Sequence, residues 1–189
     1  MMFITQGDDC HSRRAFGNHP RLWYHSAMIW TISDLHLSAA KPKPMDIFGE
    51  RWKQHPQRIA AAWRERVRPD DTVLIAGDIS WALKLPEALP DLHWIAALPG
   101  NKVLSRGNHD YWWESAGRVR RQLPPTLAVV QGDALDLGEI VVCGTRGWIT
   151  PDTPGFKPSE DETVYKRELI RLDLALQAAQ RLAAGSKPI

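Results

Sequence analysis

Only two cysteines, Cys10 and Cys143, occur in 189 residues. Two cannot build a disulfide scaffold, and no Cys-x-x-Cys is present to make a thiolate zinc site. Such scarcity fits a reducing, cytoplasmic setting. No run approaches the roughly 18 apolar residues of a membrane helix. The most apolar stretch, residues 73–85, is interrupted by Asp78, so no membrane partner is expected. A charge excess is also lacking: 24 Lys and Arg stand against 22 Asp and Glu, a net +2. No global field therefore draws the chain toward nucleic acid or a lipid surface. Gly-x-Ser-x-Gly, a phosphate-cradling Gly-rich loop, a dinucleotide fingerprint and Asp-x-Asp are all absent. What is present suffices for one globular domain, because 43% of the residues are hydrophobic and such a composition excludes wholesale disorder. The conspicuous surpluses are nine Trp and seven His.

Residues 1–27 carry neither helical nor strand periodicity and no apolar core after a basic start. They are expected to be a non-domain extension, upstream of a true start at Met28, and their His11, His19 and His25 are discounted as ligands. The domain is expected to span residues 28–189. Strand 28–33 opens it, and a Pro- and Lys-rich loop follows at 38–45. Ile59, Trp63 and Val67 mark one face of a helix at 55–68. Residues 72–76 form a continuous apolar strand of the kind buried on both faces of a sheet. A helix over 86–98, a strand at 102–105 and a helix over 114–123 follow. Short segments 127–130, 134–137 and 140–143, separated by Gly-containing turns, suggest a meander. After a loop at 149–158 comes a long helix, 161–184. Its stripe of Tyr165, Leu169, Leu172, Leu176, Ala179 and Ala183 predicts a core-facing surface, fewer than three heptads being short for a coiled coil. Gly185 reads as its stop, and residues 187–189 as the approach to a further strand. The order βαβαβα, then meander and helix, is an α/β arrangement with a mostly parallel first sheet.

Each of the first three strands ends in a polar cluster: Ser33-Asp34-Leu35-His36, Gly77-Asp78-Ile79-Ser80 and Arg106-Gly107-Asn108-His109-Asp110. Sites in α/β sheets form at the carboxyl ends of strands. Asp34 and His36, two residues apart, would point the same way in extended backbone and share one ion. Asp78 can bridge two ions through its two oxygens, and Asn108 offers a neutral carbonyl oxygen. Mixed nitrogen and oxygen donors without thiolate suit Mn²⁺, Fe or Zn²⁺. Singly, each cluster has a plainer reading as a helix cap, a surface histidine or a turn. Together, at three successive strand ends, they converge.

Asp34-x-His36, Gly77-Asp78 and Gly107-Asn108-His109-Asp110, in this order, resemble the calcineurin-like metallophosphoesterases. The likeness covers residues 28 to about 189, and Val142-Cys143-Gly144-Thr145-Arg146-Gly147-Trp148 resembles a bacterial subgroup of predicted phosphohydrolases. The resemblance implies an α/β/β/α sandwich around two divalent metal ions. Asp34, His36 and Asp78 would hold the first and Asp78 with Asn108 the second. His109 would sit beside the scissile phosphate and Asp110 would orient His109. It implies a hydrolase that cleaves a phosphate mono- or diester with a bridging metal hydroxide, on a small molecule or a phosphoprotein. One departure stands out. The family supplies further histidines from its C-terminal half, and this sequence has none after His109. The chain is therefore expected to be a C-terminally truncated form lacking the last strands, poorly soluble and weakly active.

Arg146 follows a strand and is a candidate for substrate phosphate, a surface or structural role being its alternative. Cys143 reads as a buried strand residue. Trp112 and Trp113 either wall the pocket or pack a helix onto the sheet. Arg118, Arg120 and Arg121 keep a nucleic-acid-binding or nuclease-like module open as a rival, alongside a catalytically impaired metallophosphoesterase-like one.

Overall fold

The computed structural model describes residues 27–189 and the backbone of Ile4–Thr5. Readings placed on the rest of 1–26, including Cys10 and the three early histidines, lie outside the described residues. Strands β1 (Ile4–Thr5), β2 (Ile29–Ile32), β3 (Thr72–Ala76), β4 (Asn101–Ser105) and β5 (Leu127–Val130) form one sheet in that order. The pairs β2–β3, β3–β4 and β4–β5 are parallel, while β1 runs antiparallel to β2, Ile4 opposite Thr31. Helices α1 (His55–Arg66), α2 (Leu85–Ala96) and α3 (Ala116–Arg120) make the crossovers. The core lies between them and the sheet. Ile59 and Trp63 of α1, Ala88, Leu92 and Ile95 of α2 and Val119 of α3 close over Ile32, Val73, Ile75, Leu104 and Val129. This is the α/β arrangement the sequence predicts, a four-stranded parallel sheet flanked by helices.

The predicted meander divides differently. Residues 127–130 join the parallel sheet beside β4 rather than leading a hairpin. The reason is α3: a strand, a short helix and a second strand make a crossover unit, which returns the chain parallel. Only β6 (Asp133–Asp136) and β7 (Val141–Gly144) pair antiparallel. Helix α4 (Pro158–Ala183) lies on this hairpin. Beyond it the Val141 amide donates to the Pro188 carbonyl, 2.9 Å, so residues 187–189 run beside β7 as a further strand would.

The face of α4 that is buried differs from expectation. Glu168, Ala175, Ala179 and Ala183 are buried, and Ala179 and Ala183 pack on Val141. Leu169, Leu172 and Leu176 are exposed at 47%, 39% and 41%. The physical reason is width. Two strands span about 5 Å between axes, against a helix about 10 Å across, so the hairpin meets only the alanine side of the stripe. Trp112 and Trp113 settle into the core at 0% and 3% exposure, packing rather than walling a pocket. Cys143 is half-buried on β7 rather than fully buried, a free thiol whose pKa burial pushes up. No described helix is long and apolar enough to cross a membrane.

Two polar groups tie the frame together. Asp71, just before β3, accepts from the backbone amides of Met28 (2.8 Å) and Arg68 (2.9 Å) and from the Trp30 indole (2.9 Å), which pins the start of β2 to β3. Lys102 of β4 is 1% exposed, and its ammonium donates to the carbonyls of Ala96 (3.2 Å) and Leu98 at the end of α2. Burial pulls its pKa from 10.5 down to about 8. The folded value lies below the unfolded one, so the unfolded chain binds more protons between these pH values and stability rises with pH across that window. Lys102→Met has no such group. Its melting temperature should fall progressively relative to wild type from pH 8 to pH 10. A pH-independent difference in thermal melts would refute the assignment.

Candidate active site

The ends of β2, β3 and β4 are zipped together by backbone bonds that continue past the regular sheet. The Asp34 amide donates to the Gly77 carbonyl (3.2 Å), His36 to Asp78 (2.9 Å), Leu37 to Ile79 (2.9 Å) and Trp81 back to Leu37 (2.9 Å). Asp34, His36 and Asp78 all take left-handed backbone, with φ of 58°, 45° and 52°. This corrects the expectation that Asp34 and His36 align through extended chain. Their convergence comes from strained turns anchored on the neighbouring strand end. Such strain in non-glycine residues persists only where the surroundings over-determine it, and it clusters at functional sites.

The ligand atoms of Asp34, His36 and Asp78 lie within 4.8 Å of one another. His36 Nε2 is 3.7 Å from Asp34 Oδ1 and 3.9 Å from Asp78 Oδ2. Asp34 is exposed, with 57% of its side chain accessible, whereas His36 and Asp78 are each 11% accessible. Burial lowers the His36 pKa against the opposing pull of Asp78 and Asp34. That keeps the imidazole neutral, the form a metal requires. Two carboxylates and a neutral imidazole are a fitting donor set for a divalent ion. Asp78 Oδ1 also accepts from the His109 amide, 2.9 Å, which fixes the carboxylate while Oδ2 faces His36.

The glycines explain how the strand ends approach so closely. Gly77 has φ +86°, and a Cβ there would lie 2.5 Å from the Gly107 Cα. A Cβ on Gly107 would meet Asp78 Oδ1 at 2.1 Å and its amide nitrogen at 2.2 Å. Asp110 then locks the junction. It is fully buried and accepts from the amides of Ile79 (2.8 Å), Ser80 (3.2 Å) and Gly107 (2.8 Å) and from the Trp112 indole (2.9 Å). The expected bond from Asp110 to His109 is not made. Its Oδ1 takes three donors, from Ile79, Ser80 and Trp112, and its Oδ2 is bonded by the Gly107 amide, so the carboxylate is turned to the strand ends rather than to His109. His109 Nδ1 is buried without a partner among the described residues. The His109 ring lies 5.9 Å from that of His36 and 5.2 Å from that of Trp81.

Asn108 is exposed and lines a cavity of about 400 Å³ with Arg146, Gly147, Trp148 and Ile149. Arg146 lies over the Trp148 ring, 4.4 Å to its centroid. So all seven predicted site residues fall at one end of the parallel sheet or on its adjoining cavity. Reading the sequence missed the aromatic surround. Trp81 stacks on His36 at 4.7 Å and carries Lys43 over its ring at 4.4 Å, Trp52 stands edge-on to His36 at 6.0 Å, and Tyr111 edge-on to His109 at 6.2 Å. Trp81 follows Asp78 by three residues and Tyr111 follows His109 by two, so proximity in sequence was the available signal. Arg118 and Arg120 are engaged by Glu114 (2.6 Å) and Asp133 (2.5 Å).

A family model described as calcineurin-like phosphoesterase matches residues 27–169. The chain belongs to this family. The candidate Asp34–His36–Asp78 group lies within the matched residues. Among curated proteins it resembles the gene 66 proteins of Mycobacterium phages L5 and D29, at 37% identity over 81 residues and 39% over 83. The match takes in 43% of this chain in each case, and the chain spans 39% and 40% of the length of those relatives. A solved structure of a protein of unknown function from Aquifex aeolicus aligns with 87% of this chain and 89% of its own, at 20% identity and a TM-score of 0.45.

Two substitutions test the junction. Asp110→Ala strands four buried donors, and at about 1–3 kcal/mol for each unsatisfied group it should lower stability by several kcal/mol and abolish Mn²⁺ binding. A carboxylate that merely oriented His109 would leave both intact. Gly107→Ala should displace Asp78 and weaken Mn²⁺ binding at least tenfold by calorimetry; unchanged affinity would refute the close-contact argument.

Proposed function

We propose that this chain hydrolyses a phosphate mono- or diester, with Asp34, His36 and Asp78 holding one divalent ion and Asp78 and Asn108 a second. The observation that carries this reading is the Asp34–His36–Asp78 group, brought within ligand distance by strained turns at the carboxyl end of a parallel sheet. When bound, such ions would supply Lewis acidity toward phosphate oxygens and make water a better nucleophile near neutral pH; Mn, Fe and Zn all suit the donors. His109 makes no side-chain hydrogen bond to any described residue, so neither ring nitrogen is committed and the ring is free to give a proton to the leaving oxygen. Asp110 acts through the backbone it clamps, as a positioning residue. Arg146 contacts the substrate, its guanidinium carbon 4.4 Å from the Trp148 ring centroid. The substrate is a phosphorylated small molecule or phosphoprotein.

A second reading is a metal-binding module of impaired activity, since the described residues hold a single group of three candidate ligands, Asp34, His36 and Asp78. One experiment separates the two: turnover of p-nitrophenyl phosphate and bis-p-nitrophenyl phosphate with Mn²⁺, alongside Mn²⁺ titration. The phosphoesterase reading expects turnover that a chelator abolishes. His109→Ala should lower kcat by about 10²–10⁴-fold with Mn²⁺ binding retained, and Asp78→Ala should lose both. Mn²⁺ binding without turnover would establish the impaired module instead.

A further inference from the structure

We propose that Arg106 and Arg146 form a subsite for a second anionic group, so that the ester cleaved here carries a phosphoryl or carboxylate group besides its scissile phosphate. The inference rests on the phosphoesterase reading and names the class of its substrate. Its first support is unmet hydrogen bonding. The Nε atoms of Arg106 and of Arg146 are both buried without a partner, and neither guanidinium donates a hydrogen bond to any described residue. The Arg146 side chain is only 10% accessible. A guanidinium has five donors and cannot shed its charge, so burying it unpaired is costly. Two unsatisfied Nε donors on guanidiniums close enough to repel each other depart from the rule that buried donors are satisfied.

The second support is that the nearby carboxylates are engaged by other donors. Glu168 of α4 is 3% exposed; its Oε1 accepts from Arg171 at 2.6 Å and its Oε2 from the Thr145 hydroxyl. Arg146 Nη2 lies 3.9 Å from Oε1, beyond hydrogen-bond reach. Asp110, whose charge also reaches Arg106, already serves four donors. Arg106 and Arg146 therefore share the occupied Glu168 with Arg167 and Arg171, and an anion from outside would balance the excess.

The third support is placement. The cavity that Arg146 lines includes Asn108 but none of Asp34, His36 or Asp78. It shares Asn108 with the proposed second-ion site but none of the first-ion ligands, which is where a group next to the scissile phosphate would lie. Trp148 places its ring 4.4 Å from the Arg146 guanidinium carbon, and its own indole is held by Asp161 at 2.8 Å. A guanidinium fork suits two parallel bonds to a phosphoryl or carboxylate group.

The test is calorimetric titration of the metal-free full chain with inorganic pyrophosphate and, separately, malonate. Binding is expected for at least one; tighter pyrophosphate would mark a second phosphoryl group, tighter malonate a carboxylate. Arg146→Gln and Arg106→Gln should each weaken it at least tenfold, with Arg146→Lys intermediate, while Arg118→Gln, on the α3 surface, leaves it unchanged. Thermal melts confirm folding, and either arginine variant suffices if the other unfolds. Failure of both probes to bind, or binding indifferent to both arginines, would overturn the subsite. The readout needs neither metal nor turnover, so the two ideas fail separately. Turnover of p-nitrophenyl phosphate without anion binding would sink the subsite alone. Arginine-dependent binding without turnover would sink the phosphoesterase reading and leave an anion site.

Discussion

The site depends on one close contact, that between the backbones of Gly77 and Gly107 at the ends of β3 and β4. Neither position has room for a Cβ, and regular strand spacing does not bring main chains so near. The Asp110 carboxylate holds the approach by accepting amide donors from both strand ends at once. Burial raises the Asp110 pKa, and the bonds from Gly107, Ser80, Ile79 and Trp112 oppose that rise. A fully buried carboxylate is tolerable because each oxygen is well supplied with donors. Asp78 is the beneficiary. Its left-handed backbone and its bond from the His109 amide exist only while the two strand ends stay in contact. Position and orientation of the candidate ligands thus follow from packing in the next layer outward, as precise sites generally require.

Much of this was legible in the chain. Apolar strands ending in Asp-x-His, Gly-Asp and Gly-Asn-His-Asp already place six chemically competent residues at one edge of a parallel sheet. The glycines before Asp78 and Asn108 announce tight backbone. What the pattern could not convey was conformation at the turn. Asp34 and His36 look like alternate residues of an extended strand, but hydrogen bonds to Gly77 and Asp78 carbonyls draw both into left-handed backbone. The role of Asp110 was misplaced for a related reason. Adjacency to His109 suggests a side-chain pair, whereas its partners Ile79 and Ser80 lie some thirty residues away in sequence. Long-range backbone capping has no periodic signature.

The outer half of the chain was less legible because its elements are defined by width. The α4 stripe of leucines and alanines has one helical period, and nothing in it tells which half meets the hairpin. Glu168 did carry a signal: it lies seven residues before Ala175 and eleven before Ala179, hence on the same buried face. A carboxylate at a core position is expected only where cations or donors await it.

That buried glutamate links the two layers of the molecule. Ala175, Ala179 and Ala183 anchor α4 to β6 and β7, but each contributes little apolar area, about 0.8 kcal/mol per buried carbon. The bonds from Arg171 and Thr145 to Glu168 and the ion pair with Arg146 add a polar attachment at the other end of the same face. Since Arg146 also lines the cavity beside Asn108, the seating of α4 and the charge of that cavity are governed by a single carboxylate. Removing it would loosen the helix and release Arg146 together. An anion occupying the cavity competes with Glu168 for the same guanidinium while neutralising the charge that makes the cluster costly. Binding there and packing of the outer layer are for that reason coupled, through a group that touches neither the candidate ligands nor the parallel sheet's core.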